Sequence, residues 1–316
     1  MLVIYGPTAT GKTDLALDLA KKFNGELISV DSRQVYKGLD IGTGKISFDA
    51  TVKRHPGHWH LDGVKINGFD LVSPPTRFSV ADFLQYTTAS LFRIREAKRL
   101  PIVVGGTGFY IKALLNGIDT IGIEPNQKLR SQLEKLSLSV LYQKLQKIDS
   151  KKALFLNQSD RHNPRRLIRA IEIALSKKSI QQSNYPTIQG DYLLIGLTAS
   201  NDFLYKRADL WLEKRLKKGL IDEVRHLLEN DVSEKWLDNL GLEYRWITRL
   251  VLSRISKEEA VERLIGDIHS FIRRQKTWFS KFSNINLFDI SNPKWRSALE
   301  KTVSLWYIRH STQAFA

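Results

Sequence analysis

The stretch Gly6-Pro7-Thr8-Ala9-Thr10-Gly11-Lys12-Thr13 fits the phosphate-cradling pattern G-x-x-x-x-G-K-[ST] at every specified position. Its glycines let successive backbone N–H groups turn toward one anion, and the start of a following helix adds its positive end. Lys12 reaches the outer phosphate, and the Thr13 hydroxyl can ligate Mg²⁺. Two further groups of residues could do chemistry. Asp31 ends the apolar run 26–30 and is followed by Ser32, Arg33 and Gln34. Gly105, Gly106, Thr107 and Gly108 follow the apolar run 101–104. Taken alone, Asp31 is as readily a helix N-cap or turn residue as a general base or metal ligand. The glycines would let a substrate or another backbone approach closely. A nucleoside triphosphatase also needs a carboxylate at a strand end to manage Mg²⁺ and water, and near the loop only Asp31 is so placed.

Bringing these groups together is the task of a parallel sheet, because ligands gather outside the carboxyl ends of its strands. Apolar runs at 2–5, 26–30, 101–106 and 192–199 read as strands, with helical patterns at 12–23 and 80–98 between them. Strands alternating with helices give βαβ units. The expected fold class is therefore α/β, a P-loop NTPase-like parallel sheet flanked by helices. Residues 121–189 carry amphipathic helices with Lys and Arg on their polar faces and read as an inserted all-helical subdomain. The expected core comprises 1–120 and 190–316, the latter mostly helical beyond 202, with helices at 241–252 and 257–282 and one stopped by Gly219.

Lys and Arg total 49 against 33 Asp and Glu, a formal charge of +16 over 316 residues, spread along the chain. That suits a folded surface that meets nucleic acid. No cysteine is present, which excludes disulfides, thiolate catalysis and Cys-ligated zinc fingers. The apolar start "MLVIY" is short for a signal peptide or membrane span, so the cytoplasm is expected.

The blocks "GPTATGKT", "DSRQVYKGLDIGTGK", "FSVADF", "PIVVGGTGFYIKAL", "NPRRLIRAIE", "LYKRADLWLEKRLKKGLIDEV" and "RRQKTWF" together resemble the tRNA dimethylallyltransferases, in family order from residue 1 to about 282. That resemblance implies transfer of the dimethylallyl group of dimethylallyl diphosphate to N6 of adenosine 37 in tRNA, by a monomer using Mg²⁺. Residues 6–13 would hold the diphosphate, joined by Arg207. Asp31 would take the N6 proton, with Ser32, Arg33 and Gln34 at the flipped adenine and Thr107 at the tRNA. Arg130, Arg165, Arg166 and Arg169 would meet tRNA phosphates from the insertion, and Arg273, Arg274 and Gln275 would face RNA late in the chain. Trp278 would be a stacking platform.

The sequence departs from the family in three places. Trp211 stands where many members carry a second arginine four residues after Arg207's counterpart, leaving Arg207, Arg215 or Arg161 to cover the leaving group. Asn163 replaces an acidic residue and reads as an N-cap. His55, His58 and His60 replace a Pro-His-His-Leu motif, and with no other ligand type at matching spacing they are not expected to hold a metal. Rival functions are a P-loop kinase for a small metabolite, a nucleotide-gated RNA-binding protein, and an isopentenyltransferase for free AMP. The kinase leaves "DSRQVY" and the basic helices without a role, and the AMP enzyme has little need of the +16 surface.

Overall fold

The computed structural model describes residues 1–45, 50–176 and 191–314, with side chains through residue 310. The chain opens with β1 (Leu2–Tyr5), α1 (Lys12–Lys22) and β2 (Gly25–Val30), then three short strands, β3 (Val52–His55), β4 (His58–Leu61) and β5 (Val64–Asn67). Next come α2 (Val80–Glu96), β6 (Leu100–Gly105) and α3 (Gly108–Asn116). Five helices follow: α4 (Gln127–Leu133), α5 (Leu138–Ile148), α6 (Ser150–Phe155), α7 (Gln158–Arg161) and α8 (Pro164–Leu175). The chain returns through β7 (Leu193–Thr198), α9 (Asn201–Lys217), α10 (Leu220–Glu229), α11 (Glu234–Leu240) and α12 (Leu242–Val251). It closes with α13 (Lys257–Phe279), β8 (Asn286–Asp289) and α14 (Trp295–Ala314).

Among the described residues one sheet has the order β3-β4-β5-β2-β6-β1-β7-β8, parallel from β5 through β8. The β3–β4 and β4–β5 pairs are antiparallel. Four strands were expected from apolar runs. The other four escape that signal because each has only four residues and most carry polar or charged side chains, as in "VKRH" and "NLFD". Strand β1, "LVIY", is buried at every residue, as a central parallel strand must be.

Register does the positioning. Tyr5 pairs with Gly105, and Gly105 with Val30, so β1, β6 and β2 end side by side. Gly6, Gly106 and Asp31, the next residue on each strand, therefore emerge at one edge.

The chain divides into two compact units, Met1–Leu115 with Ile188–Ala316, and Asn116–Thr187. In the first, α9 to α13 share a core with the sheet: Leu204, Leu212, Val224, Tyr244, Ile268 and Ile272 belong to the cluster that holds Leu2, Ile4, Leu27 and Ile102. The second has its own core, built on Leu133, Leu141, Leu145, Leu167 and Ile171. Its α8 starts on Asn163, whose side chain accepts from the Arg166 N–H, with Pro164 at the first helical position where its missing donor costs nothing. The end of the expected insertion, 177–189, lies outside the described residues.

Candidate functional site

Residues 6–13 leave β1 as a loop and enter α1 at Lys12. Gly11 takes φ 76, a left-handed conformation that favours glycine, and Ala9 takes φ 68. The loop is braced from inside: the Thr10 hydroxyl donates to the Pro7 carbonyl at 2.8 Å, and Lys12 Nζ reaches the same oxygen at 3.4 Å. Arg207, on α9, donates from Nε to the Ala9 carbonyl at 2.8 Å. Burial pulls the Lys12 ammonium down to about 8, with Asp31 opposing the shift and Arg215 adding to it.

The Asp31 carboxylate accepts from the Arg33 N–H at 2.8 Å and, more weakly, from that of Gln34 at 3.4 Å. That is the local turn role weighed from sequence, and it fixes the carboxylate at the strand end. Ser32 N–H donates to the Thr107 hydroxyl at 3.3 Å, joining the second and third site segments. The Gln34 side chain is oriented at both ends, accepting from the Ser29 hydroxyl at 2.6 Å and donating to the Thr43 carbonyl at 3.1 Å.

A residue from the far end of the chain completes the edge. Gln275 of α13 accepts from the Thr8 N–H at 2.9 Å and donates to the Gly106 carbonyl at 3.1 Å, so one amide ties the phosphate loop to the second glycine loop. A Cβ on Gly106 would come within 2.7 Å of that amide nitrogen, so glycine is what lets α13 approach. Gln275 is only 6% exposed and faces the loops rather than outward. Its neighbours Arg273 and Arg274 are exposed, Arg273 donating to the Tyr205 hydroxyl at 2.8 Å.

Two adjoining cavities open here. The first, about 440 Å³, is lined by Lys12, Thr13, Asp31, Arg207, Trp211 and Lys214 among others. The second, about 330 Å³, is lined by Asp31, Ser32, Arg33, Thr107, Arg274 and Trp278 among others. Asp31 and Trp211 belong to both.

The structure separates the three cations weighed for the leaving group. Arg207 touches the loop. Arg215 is 1% exposed, donates to the Gly42 carbonyl and to Glu243 at 2.8 Å each, and lies 3.0 Å from the Trp211 ring centroid, beneath it. Arg161 lies in the helical unit, donating to the Leu156 carbonyl and stacking on Tyr142. Lys214 lines the first cavity and was not singled out from sequence, because one lysine in the basic run "EKRLKK" carries no local mark. Glu243 was missed likewise; it also accepts from Arg33 at 3.4 Å, and only the fold brings α12 to that turn.

In the helical unit, Arg130 is bidentate on Glu172 at 2.7 and 2.6 Å. Arg169 reaches the same carboxylate at 3.3 Å and donates to the carbonyls of Thr120 and Ile123. Both guanidiniums thus organise this unit around a buried carboxylate. Arg165 and Arg166 are exposed on α8, Arg166 pairing with Asp160 at 2.5 Å.

A parallel sheet with a phosphate loop at its carboxyl edge, a fixed carboxylate beside it and a second cavity across that carboxylate has the architecture of a phosphate-loop α/β protein with two adjoining cavities at the sheet edge. A model of the family described as IPP transferase matches residues 34–282, and one described as isopentenyl transferase matches 1–59. The chain belongs to the IPP transferase family and is a prenyltransferase. It is 37% identical over 296 residues to a tRNA dimethylallyltransferase of Roseiflexus sp. (strain RS-1), covering 90% of this chain and 91% of that protein. Among solved structures, the full-length tRNA isopentenylpyrophosphate transferase of Bacillus halodurans aligns at TM-score 0.70 and 31% identity, over 100% of this chain and 99% of its own. A eukaryotic dimethylallyltransferase described as acting on tRNA aligns at TM-score 0.78 and 25% identity, over 98% of this chain and 79% of that one. No helix among the described residues is long and apolar enough to cross a membrane.

Proposed function

We propose that the chain transfers the dimethylallyl group of dimethylallyl diphosphate to N6 of adenosine 37 in a tRNA. The observation that carries this reading is that Asp31 lines both cavities, one walled by the phosphate loop and the other by Ser32, Thr107 and Trp278. In the first cavity the diphosphate lies against the loop amides, Lys12 and Arg207. In the second the adenine, turned out of its stack so that N6 can reach a buried reaction centre, meets Trp278 and Arg274. As N6 bonds to C1 of the dimethylallyl group, the C1–O bond breaks, its electron pair leaves on the diphosphate, and the N6 proton passes to the Asp31 carboxylate.

A hard dication fits the first cavity by its donors, which include the Thr13 hydroxyl and the carboxylates of Asp31 and Asp14 and no sulfur or imidazole. Mg²⁺ held through Thr13 would help neutralise the leaving diphosphate. The chain's own contribution is the fixed cationic loop, which needs no reorganisation as charge develops.

The deciding experiment gives the purified chain Mg²⁺, dimethylallyl diphosphate and an anticodon stem-loop with adenosines at 36 to 38. The expected N6-dimethylallyladenosine is identified by a mass gain equal to one dimethylallyl group in place of one hydrogen, and by co-elution of the digested nucleoside with the authentic compound. Absence of that product, with ATP hydrolysed or its γ-phosphate moved instead, would return the loop to the kinase class.

A further inference from the structure

The hairpin β3–β4 gathers three histidines that their spacing alone does not unite. Antiparallel register sets His55 opposite His58, and His60 follows two residues on, so all three project from the same face. The His55 and His58 rings stack with centroids 5.0 Å apart, and His60 stands edge-on to both at 5.4 and 5.5 Å. One ligating atom from each lies within 4.8 Å of the other two. His60 Nδ1 is buried and finds no hydrogen-bond partner. The opposite face of the hairpin is committed elsewhere, with Arg54 stacked on buried Trp59.

The scaffold is held firmly. The Pro56-Gly57 turn is pinned by Tyr86 of α2, whose hydroxyl donates to the Gly57 carbonyl at 2.8 Å and accepts from the Gly68 N–H at 3.1 Å. Lys53 lies opposite His60 on one side and Lys65 on the other, but Lys65 is tied to Glu26 at 3.2 Å, which offsets its charge.

We propose that His55, His58 and His60 form a three-imidazole site for a borderline transition-metal dication such as Zn²⁺. Imidazole nitrogens suit such ions and not Mg²⁺, so this site is chemically distinct from the oxygen-lined phosphate cavity. Tetrahedral Zn–N bonds of about 2.0–2.1 Å put ligand atoms about 3.4 Å apart. Closing from 4.8 Å takes modest ring rotation at a hairpin end where two of the three rings are partly solvated. Water completes the fourth position.

The test uses the full chain without a histidine tag. Calorimetric titration with Zn²⁺ is expected to show one equivalent with a Kd on the order of 1 μM, and Co²⁺ to develop the visible absorption of a low-coordinate site. His55→Ala and His58→Ala, at exposed or partly exposed positions, each weaken Zn²⁺ binding by about tenfold or more. They also abolish the rise in Tm that Zn²⁺ produces in the wild-type chain. Thermal unfolding without metal verifies that both variants are folded. Lack of saturable binding up to about 100 μM, or Kd values in both variants within about threefold of wild type, overturns the site.

Discussion

In the proposed reaction two side chains carry most of the chemistry, and each makes a prediction of its own. Asp31 is held by the N–H groups of Arg33 and Gln34, an arrangement that survives in Asp31→Asn because the amide oxygen still accepts. That variant therefore isolates proton transfer: it is expected to lose about 10²–10⁴-fold in kcat while binding the stem-loop with unchanged Kd. Near wild-type turnover would remove Asp31 from the role of base. Lys12 predicts a pH dependence. Its ammonium loses its proton near pH 8 in the free protein, so kcat/KM for dimethylallyl diphosphate should fall on the alkaline side with a midpoint near 8, a profile that reports the free enzyme. The same shift has a stability sign. The unfolded chain keeps the Lys12 proton to about pH 10.4, so between about 8 and 10.4 the unfolded state binds more protons and Lys12's contribution to stability improves as pH rises. Lys12→Met should accordingly raise Tm at pH 7 while abolishing donor binding; a lowered Tm would show that charged Lys12 is a net stabiliser of the loop.

At the scale of elements, the edge is legible in the sequence wherever local pattern and strand ends determine it. The residues 6–13, Asp31 and the glycines after 104 each follow an apolar run, and parallel strands that end in register must deliver them together. What local pattern cannot show is the closing piece. Gln275 follows Ile272 by three residues in the buried stripe Leu264, Ile268, Ile272, Phe279 of α13, a place where a polar side chain reads as an interruption of the apolar face rather than as a bridge. Arg215 and Glu243 are equally opaque, since their ion pair joins α9 to α12 across 28 positions. The histidine cluster depends on hairpin register in strands of four residues. Gln275→Leu tests the bridge. It fits the apolar stripe but leaves the Thr8 N–H and the Gly106 carbonyl without partners, at a cost of about 1–3 kcal/mol for each group that stays buried. Urea unfolding should show that loss, and the KM for dimethylallyl diphosphate should rise because the phosphate loop is no longer tied to its neighbour. Unchanged stability together with unchanged KM would mean that the two loops hold their places independently.

Over the whole molecule, the excess of +16 has to be divided between charges that build the protein and charges that meet a polyanion, and the helical unit shows how. Arg130 and Arg166 look alike in the sequence as basic residues of amphipathic helices. The fold gives them opposite tasks. Arg130 neutralises Glu172, which is 2% exposed at its side chain, so Arg130→Ala leaves a buried carboxylate with the longer Arg169 contact as its one ion pair, beside the Asn126 N–H at 2.9 Å. Breaking a buried pair in this way typically costs about 3–5 kcal/mol, and the loss should appear as a lowered Tm before any RNA is added. Arg166 pairs with Asp160 in solvent, an interaction worth about 0–1 kcal/mol, so Arg166→Ala should leave Tm within error. Its effect is expected in tRNA binding instead. Each lost phosphate contact forgoes counterion release, so the slope of log K against log salt should become shallower by roughly one, with KM for the stem-loop raised and KM for dimethylallyl diphosphate unchanged. Measuring both variants in both assays separates the roles. An Arg166→Ala chain whose salt slope equals that of wild type would place the RNA-facing charge elsewhere, as on Arg274 at the second cavity, while an Arg130→Ala chain of undiminished Tm would show that Arg169 and the Asn126 N–H suffice to hold Glu172.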